Sequence, residues 1–236
     1  MAADLEKPDS PFEDAENVRR YVENGPALFV PGYRNMQDMA GQLIWEQAGD
    51  QAQVLVIGAG GGLELACFAS RYAGWSFAAV DPAEAMLTAA KDKMVQLGAA
   101  DRVSWVNGYV DDAPAGPFDG ATLLLTLHFV PDDGAKHTTL EQIRRRLKPG
   151  AALAVVDFCL DLSAPSADAM ITRYGHYALN AGALESDVAE TKQRLRTVLN
   201  CVDEERERTI FAEAGFEKAL LFYAGFNWRG WVLYAP

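Results

Sequence analysis

A glycine-rich segment follows a short apolar run at 53–57, and its glycines include three with the spacing G-x-G-x-G: Gly58, Gly60 and Gly62. Glycines between a strand and a helix let a ligand approach the backbone closely and expose the amide groups of the helix N-terminus to it. Asp81 ends a second apolar run and could accept hydrogen bonds from both hydroxyl groups of a ribose. These residues therefore predict a site for a nucleoside-containing ligand, although Asp81 could instead cap a helix that begins just after it.

The glycine spacing also distinguishes between two nucleoside cofactors. The dinucleotide fingerprint G-x-G-x-x-G/A requires a small residue where this chain has Leu63. A short-chain dehydrogenase would in addition need a Tyr-x-x-x-Lys pair, but the fourth residues after Tyr174 and Tyr177 are Ala178 and Ala181. An NAD-dependent dehydrogenase is therefore the alternative from another enzyme class, and the glycine spacing argues against it.

Apolar runs alternate along the chain with segments of helical spacing, which predicts a mostly parallel sheet with right-handed crossovers. This is the α/β class with a doubly wound, Rossmann-like arrangement. The predicted strands are 53–57, 75–80, 103–106, 120–127 and 152–158, and the predicted helices between them are 62–72, 83–97 and 134–147.

Helical segments are expected on both sides of this core. The segment 1–48 predicts an N-terminal helical cap, broken at Pro26 and at the Pro31-Gly32 turn. The segment 163–214 has no strand-like run and predicts a helical insertion of two or three helices. Two strand-like stretches after it predict an antiparallel hairpin that closes the sheet, so that the whole chain, 1–236, is interpreted as one domain; these stretches are 218–223 and 231–234.

Four pieces of the sequence carry a known pattern: residues 57–62, Asp81, Pro117-Phe-Asp119 before an apolar run, and the Leu-Lys-Pro-Gly turn at 147–150. With these pieces the chain resembles the class I S-adenosylmethionine-dependent methyltransferases. The resemblance implies that the cofactor is S-adenosylmethionine. The residues expected around it are Tyr33, Gly58, Ala59, Gly60, Gly62, Asp81, Pro82, Tyr109, Val110, Asp111 and Leu125.

A closer resemblance involves residues outside that core. The segments Pro31-Gly-Tyr33, Thr126-Leu-His-Phe129 and Gly225-Phe-Asn-Trp are similar to those of the bacterial carboxy-S-adenosylmethionine synthases. Enzymes of that family convert S-adenosylmethionine and prephenate into a carboxylated sulfonium used in tRNA wobble-uridine modification. The resemblance also implies a homodimer.

Three positions depart from the pattern of that family. Tyr109 stands where the family has an acid near the adenine, so Asp111 or Asp112 would have to replace it. Leu124 stands where the family has an asparagine, and Lys192 aligns with an arginine that binds the substrate carboxylate. Because lysine is a point charge rather than a bidentate clamp, we predict transfer of an unmodified methyl group to a small molecule. A carboxy-S-adenosylmethionine synthase activity and a non-catalytic S-adenosylmethionine-binding protein are the alternatives.

Transfer from a sulfonium requires alignment of the acceptor and exclusion of water, and a general base only when the acceptor proton has a high pKa. His128 follows the fourth predicted strand and is the candidate for that base, although a histidine at such a position is more often structural. Tyr174 and Tyr177 would share a helix face, as the residues of a core stripe also do. The residues expected to contact the acceptor are Arg34, Tyr174, His176, Tyr177 and Lys192.

The composition indicates where the protein is located and which partners it is expected to bind. A formal net charge of -12 argues against direct nucleic-acid binding. The first twelve residues have no apolar run of the kind that signal peptides contain, and no segment is apolar for long enough to span a membrane. The three cysteines have no metal-ligand spacing, and no metal is predicted because Asp132, Asp133 and His137 are interpreted as solvated loop residues. We therefore expect a cytoplasmic protein.

Overall fold

A computed structural model describes residue 12 and residues 14–236, and among them seven strands form one sheet. The strands are β1 (Gln51–Ile57), β2 (Gly74–Asp81), β3 (Val103–Asn107), β4 (Phe118–Leu124), β5 (Leu147–Phe158), β6 (Ala219–Gly225) and β7 (Trp228–Tyr234). Their order is β3-β2-β1-β4-β5-β7-β6. Strands β1 to β5 pair in parallel, and β7 pairs antiparallel with both β5 and β6. The predicted doubly wound sheet closed by a hairpin is confirmed.

The helices of the described residues are α1 (Ala15–Phe29), α2 (Tyr33–Ala48), α3 (Leu63–Arg71), α4 (Glu84–Gln96), α5 (Ala135–Arg144), α6 (Ala167–Asn180), α7 (Glu185–Thr197) and α8 (Glu204–Glu213). Helices α2 and α3 contribute to the apolar core on one face of the sheet, and α5 and α8 contribute to the core on the other face. The middle of the two central strands, residues 120–124 of β4 and 151–156 of β5, is buried and largely apolar because both faces are covered there.

The order of the strands reverses between β1 and β4, which both end at the same edge of the sheet. Ligands bind at such a switch point in open α/β sheets. The glycine-rich loop leaves β1 there, and a short 3-10 turn, Leu127–Phe129, follows β4. These two segments touch, because a Cβ atom on Gly58 would lie 2.1 Å from Oγ1 of Thr126.

The predicted helix break at Pro26 is wrong, because Pro26 lies inside α1. A proline removes only its own N–H from the helix, and packing can compensate for that loss. Leu28 and Phe29, in the same turn, pack against Ala178 and Val188. The chain turns instead at the predicted second break, where Gly32 has a φ of 67°. The part of the predicted cap at residues 1–11 and 13 lies outside the described residues.

The bounds of two predicted strands also differ from those observed. β4 ends at Leu124 rather than at residue 127, because Leu125 has a φ of 56° and leaves the sheet. β5 begins at Leu147, earlier than predicted, since its first residues extend past the end of α5 beside Phe118. The predicted helical insertion contains three helices, α6, α7 and α8.

Gly62 provides a test of the packing between α3 and α4. Its φ is 75°, and a Cβ atom there would lie 2.9 Å from the Cα atom of Ala90. Gly98 has a similar φ of 64°, but in the described part of the chain no atom beyond its neighbours lies within 4 Å of such a Cβ position. We expect Gly98→Ala to lower the free energy of unfolding by about 1 kcal/mol, through backbone strain alone. Gly62→Ala should cost roughly 1–3 kcal/mol more, through the clash. Urea unfolding measures both, and equal losses would contradict the packing argument.

Candidate active site

The glycine-rich loop leaves an open face toward the edge of the sheet. Gly58, Gly60 and Gly62 all have positive φ values, of 71°, 50° and 75°. The amides of Gly58 and Ala59 donate to the carbonyl of Val80, at 2.9 and 3.0 Å, which holds the loop against β2. Among residues 12 and 14–236, apart from its chain neighbours, a Cβ atom on Gly60 would have one atom within 4 Å, the carbonyl oxygen of Gly58 at 3.8 Å. A ligand can therefore approach the backbone closely at Gly60.

Asp81 joins this loop to the start of α4. Its Oδ2 atom accepts a hydrogen bond from the amide of Gly60 at 2.8 Å, and its Oδ1 atom accepts one from the amide of Ala83 at 2.9 Å. The two predicted roles of Asp81 are thus compatible, because each carboxylate oxygen has a second lone pair with which to accept a hydroxyl group. Pro82 lies beside it, and its carbonyl accepts a hydrogen bond from Asn107 at 3.0 Å.

The segment after β3 forms the outer rim of the site. The side chain of Tyr109 is largely exposed, whereas Val110 is buried. Asp112 accepts a hydrogen bond from the amide of Tyr109 at 2.9 Å and therefore closes this turn. Of the two carboxylates expected to replace the acid of the resembling family, only Asp111 has its side chain directed to solvent without such a capping role.

Helix α1 covers the glycine-rich loop, which the sequence did not predict. A Cβ atom on Gly61 would lie 2.1 Å from Cγ2 of Val22, so the two residues are in close contact. Tyr21 lies beside the loop, and its burial together with the nearby carboxyls of Asp81 and Glu64 raises the pKa of its phenol. Tyr21 stands in a helix without any motif, and only the packing of α1 over the loop identifies it.

Tyr33 and Arg34, at the start of α2, line a cavity of about 320 Å³ between α1, α2 and α3. Gln37 donates a hydrogen bond to the Tyr33 hydroxyl at 2.8 Å. Burial is the main cause of the raised pKa of Tyr33. The cavity extends to Leu63 and Cys67 of α3, so it adjoins the helix that begins at the glycine-rich loop.

His128 forms a buried pair with an aspartate that the sequence did not single out. Nδ1 of His128 is in hydrogen-bond contact with Oδ1 of Asp157, at the end of β5. The backbone amide of His128 donates to the same oxygen at 2.8 Å. The imidazole packs against the rings of Phe129 and Trp228, at centroid distances of 4.7 and 5.6 Å. Because these contacts fix the ring, only its Nε2 edge is left for another partner.

The predicted acceptor residues do not all come together. Tyr174 is buried in an aromatic cluster with Phe158 and Trp228, at centroid distances of 5.0 and 6.4 Å. Tyr177 instead contacts Phe226 of the hairpin, and His176 is exposed. The structure thus places Tyr174 near His128, through Trp228, and places the other helical candidates farther out: His176, Tyr177 and Lys192.

Leu125, the last of the predicted cofactor residues, stands at the switch point. Its positive φ redirects the chain after β4, and its amide donates to the carbonyl of Val156 at 2.7 Å. Thr126, next to it, packs on Gly58. The cofactor side of the edge and the His128 side therefore meet at Leu125 and Thr126.

Comparison with known proteins finds relatives in sequence and in fold. The chain is 22% identical over 223 residues to a carboxy-S-adenosyl-L-methionine synthase of Campylobacter hominis, covering 94% of this chain and 93% of that protein. A 79-residue segment, 33% of each chain, is 40% identical to a 2-phytyl-1,4-naphtoquinone methyltransferase of Synechococcus elongatus. An O-methyltransferase family protein of Burkholderia thailandensis shares the fold with a TM-score of 0.66 at 17% identity, and the match covers 96% of this chain and 62% of that one.

Residues 54–150 match the model of the methyltransferase domain family. These residues form a methyltransferase domain of the S-adenosylmethionine-dependent kind. S-adenosylmethionine is therefore its cofactor, and the alternative of an NAD-dependent dehydrogenase is set aside. The open face at Gly60 and the carboxylate of Asp81 fit the chemistry of this cofactor, which needs close backbone approach and an acceptor for its ribose hydroxyls.

Two further features concern metals and membranes. Within residues 12 and 14–236, no group of three or more histidine, cysteine or acidic side chains is arranged to hold a metal ion. Asp132 instead pairs with Arg206 through two hydrogen bonds of 2.9 Å. The helices in this part of the chain include none with the length and apolarity needed to cross a bilayer.

Replacement of Asp81 tests its two roles in this methyltransferase. We expect Asp81→Ala to weaken binding of S-adenosylhomocysteine by about tenfold or more, because hydrogen bonds to a charged acceptor contribute roughly 1.5–3 kcal/mol each. Asp203→Ala is the matched control, because Asp203 accepts from the amide of Arg206 at the start of α8 and only caps that helix. It should cost about 1 kcal/mol of stability and leave the affinity unchanged. Calorimetric titration and urea unfolding of both variants distinguish the two roles. An unaltered affinity in Asp81→Ala would show that Asp81 has a structural role and does not bind the cofactor.

Proposed function

We propose that this methyltransferase transfers the methyl group to a hydroxyl-bearing small molecule, with His128 as the general base. The observation that carries the proposal is the buried His128–Asp157 pair at the carboxyl ends of β4 and β5. Bound S-adenosylmethionine supplies an electrophilic methyl group. The residues of the chain have to align the acceptor, exclude water and remove the acceptor proton.

The contacts of His128 favour the role of a base. Asp157 accepts a hydrogen bond from the His128 backbone amide, and a carboxylate in contact with Nδ1 favours the tautomer in which that nitrogen carries the proton. The lone pair is then on Nε2, as in other enzymes in which an aspartate orients a histidine. Both side chains are almost fully buried, so the orientation is maintained away from water.

Tyr174 and Trp228 support an aromatic acceptor pocket beside this pair. Tyr174 packs on Phe158, and Trp228 packs on both Phe158 and His128. Burial raises the pKa of the Tyr174 phenol, whereas a hydrogen bond with the Trp228 side chain acts in the opposite direction, so these two side chains form a polar edge in the aromatic lining. An acceptor with an aromatic ring and an oxygen atom suits such a lining.

A second cavity, of about 260 Å³, lies between α1 and α7 and reaches Tyr21 and Phe29. Phe29 in turn contacts Tyr174, at a centroid distance of 5.8 Å. We therefore propose this cavity as the acceptor entrance, with Tyr177, His176 and Arg34 at more distant positions on the surface.

The carboxy-S-adenosylmethionine synthases are the second candidate, because one of them matches this chain over nearly its full length. The arrangement of cationic groups does not favour their reaction. The side chain of Lys192 crosses Gly175, where a Cβ atom would lie 2.3 Å from its Cε atom. Arg194 and Arg196 pair with Glu190 and Asp168, each at 2.5 Å. None of these three side chains is therefore an unpaired guanidinium that could bind a carboxylate on the cofactor in a bidentate way.

The assembly and the location are also part of the proposal. We infer that residues 1–236 act as one domain and that the enzyme is a homodimer, as the resemblance to the synthases implies. A cytoplasmic location agrees with the three free thiols, Cys67, Cys159 and Cys201, which are typical of a reducing compartment. No role in nucleic-acid binding is proposed, given the net charge of -12.

Incubation with S-adenosylmethionine and prephenate tests the choice between the two reactions. We expect no accumulation of the carboxylated cofactor by mass spectrometry, because an unpaired carboxylate in a partly dry pocket is unfavourable. Turnover to that product would overturn the proposal. Loss of the product in Lys192→Ala would then show that Lys192 takes the place of the arginine.

Replacement of His128 tests the general base. A panel of phenols and hydroquinones is incubated with S-adenosylmethionine labelled in its methyl group to find an acceptor. His128→Asn keeps a donor toward Asp157 but has no atom at the position of Nε2, so the rate should fall by about 100-fold or more while the affinity for S-adenosylhomocysteine is kept. His137→Asn is the control, because His137 only contacts the carbonyl of Glu213. An unchanged rate in His128→Asn would assign His128 a structural role.

A further inference from the structure

Glu64 is a buried carboxyl group that none of the predicted roles explains. It is the second residue of α3, directly after the glycine-rich loop, and only 6% of its surface is exposed. The hydroxyl of Thr122 donates to its Oε1 atom at 2.5 Å. Among residues 12 and 14–236, Glu64 has no second hydrogen-bond partner and no lysine or arginine within 4 Å, so its Oε2 atom is available to a ligand.

The sheet places this carboxyl group directly beneath the cofactor loop. Thr122 is the register partner of Val56, two residues before Gly58. The groups that face Glu64 come from α1, α2 and α3, since its charge contributes to the raised pKa values of Tyr21, Tyr33 and Cys67. Tyr33 and Cys67 also line the cavity of about 320 Å³. Glu64 therefore lies close to two residues that line this cavity, and its neighbour Leu63 is a third.

A carboxylate in such surroundings lacks a cation. Burial is the largest effect on its ionisation, and it raises the pKa of Glu64 to about 8, although the Thr122 hydrogen bond acts in the opposite direction. The position in the first turn of α3 favours an anion, because the partial positive charge of the helix N-terminus lies there. A ligand cation with N–H donors would satisfy the free oxygen and offset the cost of burying the charge.

We propose that the Glu64 carboxylate binds the α-ammonium group of the methionine part of S-adenosylmethionine. This inference rests on the cofactor assigned above. The ammonium group carries three N–H donors, whereas the sulfonium carries none, so the ammonium is the group that a free carboxylate oxygen can bind by hydrogen bonds. The sulfonium has to face the opposite side, toward His128 and the acceptor.

Binding should therefore remove a proton from Glu64. The ligand requires the carboxylate, and most of the free protein at pH 7 carries the carboxylic acid when the pKa is about 8. Tyr21, Tyr33 and Cys67 face the same space, but their pKa values are raised further and they stay protonated at pH 7. Asp38 lies beside Cys67 and Asp81 beside Tyr21, and the ligand series below separates these two carboxylates from Glu64.

The experiment is calorimetric titration of the unmodified protein at pH 7, in buffers of different ionisation enthalpy. S-adenosylhomocysteine carries the ammonium group but no sulfonium, and 5′-methylthioadenosine carries the ribose but no amino-acid part. We expect release of about one proton per S-adenosylhomocysteine bound and none per methylthioadenosine. The affinity for S-adenosylhomocysteine should rise between pH 6 and pH 8, since more of Glu64 is ionised as the pH approaches its pKa.

Two isosteric variants complete the test. Glu64→Gln should abolish the proton release and remove the pH dependence of the affinity for S-adenosylhomocysteine. It should also weaken binding of S-adenosylhomocysteine by about tenfold or more and leave binding of methylthioadenosine unchanged. Glu207→Gln is the matched control, because Glu207 is another buried carboxyl whose pKa is raised to about 8, held by Trp231 on the other face of the sheet.

The outcomes separate the two levels of the proposal. Binding of S-adenosylhomocysteine without proton release, or with unchanged affinity in Glu64→Gln, would overturn the role of Glu64 and leave the cofactor assignment intact. Proton release that persists with methylthioadenosine would assign the proton to Asp81 and also overturn it. If neither ligand bound the unmodified protein, the cofactor assignment would fail together with this inference. The titration of the unmodified protein stands even if Glu64→Gln does not fold.

Discussion

The hydrogen bond from the Gly60 amide to the carboxylate of Asp81 is the interaction on which the cofactor side of this protein depends. It joins two loops that are 21 residues apart in sequence, and the same carboxylate also holds the amide of Ala83 at the start of α4. A buried amide without a partner costs roughly 1–3 kcal/mol. The loop can take this course only because its glycines adopt positive φ angles, and α3 and α4 can approach each other only because Gly62 has no side chain against Ala90.

The sequence predicted those features that depend on local patterns. The alternation of apolar strands and helices, the glycine-rich loop and Asp81 all follow from residue type and short spacing, and each lies where it was expected. The wrong prediction of a helix break at Pro26 shows the limit of such reasoning. Helix α1 continues through that proline, where it packs against α6 and α7. Local propensity is overridden there by tertiary packing.

Residues that depend on which strands become neighbours could not be predicted in the same way. Asp157 lies 29 residues after His128, and the two meet only because β5 pairs beside β4. Glu64 meets Thr122 because the first turn of α3 lies against the sheet, although the two residues are 58 positions apart in sequence. Tyr174 and Tyr177 show that local spacing can also group residues that the fold separates. Their spacing places both on one helix surface, but Tyr174 packs in the aromatic core and Tyr177 packs on Phe226 of the hairpin.

Helix α5 brings a buried positive charge to the ends of β4 and β5. Lys136 of α5 is fully buried and donates to the carbonyl of Leu127 at 2.6 Å, within the turn that carries His128. Burial and the charge of Asp157 raise the pKa of Glu207, whereas the positive charge of Lys136 lowers it. The turn that carries His128 is therefore held by two hydrogen bonds. Lys136 donates one to the carbonyl of Leu127, and Asp157 accepts the other from the amide of His128.

Helix α1 and Phe12, which precedes it in the chain, contact both the glycine-rich loop and the turn that carries His128. Val22 lies on the glycine-rich loop and Tyr21 lies beside Asp81, whereas Phe12 contacts Phe129, next to His128, at a centroid distance of 5.9 Å. The contact of Val22 with Gly61 covers one side of the loop, next to the open face at Gly60. The cofactor side and the His128 side are therefore physically linked through one helix, in addition to the contact of Thr126 with the loop.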